Sequence, residues 1–148
     1  MGSLDFHMMQ SKNADELEHL LSEAYLNKDE VVLDELQGYY SYGHCMELAI
    51  AFHRLYGYEI QLVTESDHDK AWIAHAWVKR GDNDYLDIMG TYVDTVELES
   101  FGNEKHTGLT EEHLYKYMTH SPQLEVDIEK AKIVANLIIK HITPQGTP

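Results

Sequence analysis

Apolar positions recur along this chain with two different periods, and the switch between them divides it into three stretches. From Asn13 to Lys28, Leu17, Leu20, Leu21, Ala24 and Tyr25 fall on one face at three- and four-residue steps, the spacing of an amphipathic helix. Asn13 with Glu16 three residues on supplies a capping box for its start. Val31, Val32 and Leu36 predict a short helix over 29–36, and the aperiodic Gly- and Tyr-rich run Gln37–Gly43 predicts a loop. Leu48, Ala51, Phe52 and Leu55 restore the helical period over 44–56, with Gly57 as its stop.

Past Gly57 the period shortens. Tyr58–Thr64 alternates, with Ile60 and Leu62 on one face, and Ala71–Lys79 and Tyr85–Met89 are apolar and aromatic enough for two more strands. Glu65–Lys70 reads as a charged loop, and Arg80–Asp84 is a turn-type cluster. The helical period returns over 110–118, capped by Thr110, and over 127–142, where Ile128, Ala131, Ala135, Ile138, Ile139 and Ile142 recur until Pro144. Strands grouped in mid-chain with helices on either side predict an α+β fold. With no internal repeat or linker, residues 1–148 read as one domain.

Charge narrows the partners. Eleven Lys and Arg against 26 Asp and Glu give a net charge of −15, which argues against nucleic acid or an anionic membrane, since both need a basic face. No apolar run approaches a membrane span, and Met1–Gln10 is not a signal peptide. A single cysteine forms no internal disulfide and suits a reducing compartment, so a cytoplasmic location is expected. The ten histidines show no His-x-x-x-His spacing, and neither Cys-x-x-Cys nor a phosphate-binding glycine loop occurs. No metal and no cofactor is expected.

The single cysteine, Cys45, falls in the first turn of the helix 44–56, where free N–H groups and the positive end of the helix dipole favour a thiolate. A thiolate nucleophile needs a base and a group to orient it. His75 and Asp87 lie on the two strands flanking the Arg80–Asp84 turn. If Lys79 pairs with Asn83 across a three-residue loop 80–82, His75 stands directly opposite Asp87 with both side chains on one face. Ile73, His75 and Trp77 are expected to share that side of their strand. Glu47, roughly 200° around the helix from Cys45, is expected to turn away from the site toward a buried hydrogen-bond partner.

Gly43-x-Cys45-x-Glu47-Leu48-Ala49, a helix, Gly57, a strand, then His75-Ala76-Trp77-Val78 and Tyr85-Leu86-Asp87 resembles the core of the transglutaminase-like superfamily. That group includes transglutaminases, arylamine N-acetyltransferases and bacterial transglutaminase-like peptidases, and is distantly related to papain. The resemblance covers about residues 37–92 and departs from the acetyltransferases where Ser41-Tyr42-Gly43 replaces their Arg-Gly-Gly. It implies a papain-like core whose central helix carries Cys45 on an antiparallel sheet, with Cys45 as nucleophile, His75 as base and Asp87 as orienting residue. It also brings forward Gln37, or a hydroxyl of Tyr40 or Tyr42, as an oxyanion donor beside the Cys45 N–H, and His44 and Trp77 as neighbours of the substrate.

The function expected is thiol-dependent acyl transfer through a thioester, in a cysteine peptidase, amidase or deamidase acting on a protein, peptide or small amide. A transglutaminase or N-acyltransferase with an amine acceptor is the alternative, as is a non-catalytic protein-binding domain on the same fold.

Overall fold

The structure, a computed structural model, describes residues 9, 12–41, 44–67, 70–118 and 127–142. Three helices come first: α1 (Ala14–Asn27), α2 (Glu30–Ser41) and α3 (Cys45–Tyr56). Strands β1 (Glu59–Asp67), β2 (Lys70–Gly81), β3 (Asp84–Asp87) and β4 (Gly90–Tyr92) follow. A one-turn helix, α4 (Val96–Glu99), leads to β5 (Glu104–Leu109), and then come α5 (Glu111–Met118) and α6 (Ile128–His141).

The predicted helix boundaries hold where capping chemistry sets them. Asn13 and Glu16 exchange backbone and side-chain hydrogen bonds at the start of α1. Gly57, at φ 73°, ends α3 in the left-handed region and donates its N–H to the His53 carbonyl. The expected loop at Gln37–Ser41 is instead the end of α2. Tyr39 and Tyr40 bury their rings there, and that packing overrides the low helix propensity of Gly38. Tyr42 and Gly43 lie outside the described residues.

The sheet is antiparallel, in the order β4-β3-β2-β1-β5. Ile60, Leu62, Ala76, Val78 and Leu86 join the main core together with α3 and α6. Every residue of α3 from Cys45 to Phe52 is buried, so this helix is the central one, enclosed rather than amphipathic over its first two turns. On the other face of the sheet, Val63 and Trp77 form a second small core with Leu98 of α4, and Ala74, Tyr85 and Tyr92 pack against it.

Two irregularities decide what faces where. Val63 pairs with His75 but Thr64 pairs with Ile73, so Ala74 is an extra residue, a β-bulge. It turns Ile73 into the main core, while Ala74 joins the second one. The expectation that Ile73, His75 and Trp77 share one side is corrected: the bulge breaks the alternation between 73 and 75. The β2–β3 connection is a two-residue turn, Asp82–Asn83, with Asn83 at φ 56°. Lys79 pairs with Tyr85 and Val78 with Leu86, so His75 is not directly opposite Asp87 as the three-residue loop would have it. The offset is two residues, which preserves the face, and Asp87 reaches His75 diagonally.

The segment after α4 is pinned to β1. Asn103 donates its N–H to the Thr64 carbonyl at 2.8 Å, and a Cβ on Gly102 would sit 2.6 Å from that same oxygen. Gly102→Ala must push backbone from backbone. The variant should lose roughly 1–3 kcal/mol of stability, the range for overpacking, seen as a lower urea midpoint at unchanged slope. An unchanged midpoint would show that the loop is not held against β1.

Candidate active site

β2 and β3 carry the first two members of the site and α3 the third. His75 projects from the strand just past the Ala74 bulge and is 4% exposed. Its Nε2 lies 2.9 Å from Asp87 Oδ2. Asp87 ends β3, pairs with Gly90 across the β3–β4 turn and accepts the Met89 N–H on Oδ1 at 2.8 Å. The Tyr92 hydroxyl donates to Oδ2 at 3.4 Å. Asp87 therefore closes its own turn with one oxygen and presents the other to the imidazole, so its orientation is fixed by backbone.

Cys45 is the first residue of α3, 7% exposed, and its side chain adjoins the His75 ring. With Nε2 committed to Asp87, Nδ1 is the nitrogen left for the sulfur. Burial pushes the imidazole down, but hydrogen bonding and charge from Asp87 and Cys45 outweigh it and raise His75 from 6.5 to about 9. Burial, followed by the charge and hydrogen bond of Asp87, raises Tyr92, which keeps its hydroxyl a donor. The Phe101 ring stands 4.8 Å from the imidazole and Trp77 6.0 Å.

A cleft of about 300 Å³ opens onto the pair, lined by His75, Asp87, Met89, Tyr92, Leu98 and Phe101 together with Ser41, Glu97 and Ser100. It lies on the sheet face away from the main core, beneath α4 and the pinned Phe101 segment. This arrangement places an imidazole and a carboxylate on the wall of an accessible hollow, with the Cys45 thiol beside the imidazole.

The other residues singled out from sequence take different positions. Gln37 is within α2 and lines no part of the cleft. Tyr42 lies outside the described residues. His44 is buried, stacked on Tyr39 with ring centres 3.8 Å apart, and its Nδ1 lies 2.5 Å from Glu47 Oε2. Trp77 is 1% exposed and donates its indole N–H to Gln61 Oε1 at 3.0 Å, so it packs behind His75 and not on the cleft wall. Glu47 turns away from Cys45 into full burial and accepts both the His44 ring and the Asp127 N–H, the latter at 3.1 Å. Met89, Tyr92, Glu97, Leu98 and Phe101 were not foreseen. Only Leu98 and Phe101, apolar in a polar stretch, leave any trace in the sequence.

Among the described residues no group of three or more His, Cys, Asp or Glu side chains is arranged to hold a metal ion, and no helix is long and apolar enough to cross a membrane. In comparison with known proteins, the chain matches no family model, no curated protein and no solved structure.

Because His75 binds its proton more tightly in the fold, the native state holds more protons than the unfolded chain between 6.5 and about 9. The stability this lends is full below pH 6.5 and is lost as pH rises through about 9. The melting temperature of the wild type should therefore fall across that window, and that of His75→Gln should stay flatter. Parallel curves for the two proteins would remove His75 as the source.

Proposed function

We propose that this chain is a thiol-dependent acyl-transfer enzyme on a transglutaminase-like, papain-related core, hydrolysing or deamidating an amide. Cys45 is the nucleophile, His75 the base and Asp87 the orienting group. The observation that carries this reading is the buried His75–Asp87 pair at 2.9 Å with Cys45 beside the same ring and a cleft opening onto it. A histidine kept for structure alone needs neither the thiol nor the opening.

The reaction follows from those positions. His75 takes the Cys45 proton as Sγ attacks the carbonyl carbon of the amide, so a C–S bond forms and the carbonyl π pair moves to oxygen. Collapse of that intermediate breaks the C–N bond, and the imidazolium gives its proton to the departing amine or ammonia. The thioester is then attacked by water, whose proton passes to His75 and on to the sulfur as the acid leaves. An amine in place of water makes the same second half a transfer.

Two features of the chain serve the charged states. The His75 imidazolium is held between Asp87 and Cys45, whose charges favour it. His44, at the start of α3, gives no side-chain cap to the helix, and in this reading the Cys45 N–H donates to the developing oxyanion.

Alkylation of Cys45 by iodoacetamide across pH, together with the melting temperature, tests the assignment. His75→Ala and Asp87→Ala should both slow alkylation. On an amide substrate, loss of the base should cost roughly 10²–10⁴-fold in turnover. Asp87→Ala should do so while also lowering the melting temperature, because its carboxylate closes the β3–β4 turn. A destabilised Asp87→Ala protein that alkylates at the normal rate would make the pair a fold determinant and end the proposal.

A further inference from the structure

The wall of the cleft has a chemical character of its own. Met89 and Phe101 are 56% and 58% exposed, and Val93 and Val96, between them in sequence, are exposed as well. These four, of seven exposed large apolar side chains among the described residues, fall between residues 89 and 101, and Met89 and Phe101 line the cleft. Apolar surface concentrated at one opening marks a place that is covered during function.

Within that wall stands one carboxylate with no task in the fold. Asp87 is taken by His75, the Met89 N–H and Tyr92. Glu99, two residues further along α4, is paired with Lys105 at 3.0 Å and bonded to Thr95. Glu97 lines the cleft, is exposed, and pairs with no lysine or arginine among the described residues. Its charge instead bears on Tyr92 across the hollow.

From this we infer that the cleft selects, next to the scissile amide, a residue with a long aliphatic stem and a cationic end, a lysine or arginine side chain. The stem lies on Met89 and Phe101, and the cation meets Glu97. Tyr92 and Phe101 offer aromatic faces along the same path, which favour a cation further. The imidazolium of His75 does not oppose this, because Asp87 and Cys45 flank it. An acidic side chain is excluded both by Glu97 and by the net charge of −15.

The inference rests on the reading of Cys45 as a nucleophile served by His75, and the test separates the two. Three chloromethyl ketone probes differ only in the residue beside the reactive carbon: lysine, norleucine or glutamate. Norleucine keeps the stem of lysine without its charge. Inactivation rates at Cys45 are measured for the wild type, Glu97→Gln and the exposed control Glu104→Gln.

The lysine probe should react roughly two- to fivefold faster than the norleucine probe, the range expected of one solvent-accessible ion pair, and glutamate should be slowest. Glu97→Gln should bring the lysine-to-norleucine ratio close to one, while Glu104→Gln leaves it in place. A wild type with no lysine preference, or one that keeps it in Glu97→Gln, overturns the inference and leaves the nucleophile intact. Labelling of Cys45 that is no slower in His75→Ala overturns the reading beneath it.

Discussion

Which face of β2 a side chain takes is set at residue 74. Strand alternation would send Ile73 and His75 to the same side, and a core that needs Ile73 would then draw the histidine inward with it. The Ala74 bulge lets Ile73 enter the main core while His75 goes to the other face, where α4, the Phe101 segment and the cleft are. Bulges are suited to this because one unpaired residue re-aims a side chain without breaking the ladder on either side. The position of Asp87 depends on that choice. It reaches His75 diagonally because the two-residue turn at Asp82–Asn83 and the register shift between Lys79 and Gly81 together move the β2–β3 pairing by two, a step that keeps parity. An odd shift would have sent the carboxylate to the far face.

Much of the fold was legible because local chemistry and burial agree. The Asn13–Glu16 box, the Gly57 stop and the period of α6 each answer to one cause. The antiparallel sheet beside a Cys45-bearing helix was legible in outline for the same reason. Elements escaped where exposure removes the pattern. β5 is largely exposed, so it has no alternation to read, and β4 is three residues long. The last turns of α2 escaped for the opposite reason, since the burial of Tyr39 and Tyr40 outweighs what their neighbours prefer.

The site divides along the same line. Cys45, His75 and Asp87 could be picked out because each residue type carries its own chemistry, and their proximity survives an error in register of two. The cleft wall could not, since Met89, Tyr92, Glu97 and Phe101 come together through a turn, a one-turn helix and the close approach of Gly102 to Thr64. His44 and Trp77 show the converse: both are rich in chemistry and lie within two residues of Cys45 or His75 in sequence, yet burial commits one to Glu47 and the other to Gln61.

The bond from the Asp127 N–H to Glu47 joins positions 80 residues apart. A carboxylate fully inside the protein tolerates no missing partner, so the turn that carries Cys45 is complete only when the start of α6 has docked against it. During synthesis from the N-terminus, Cys45, His75 and Asp87 all leave the ribosome before residue 127 does. Until then Glu47 has only His44. Assembly of the thiol's surroundings is thereby deferred until α6 has docked, and a growing chain carries its cysteine before it carries the environment that would make use of it.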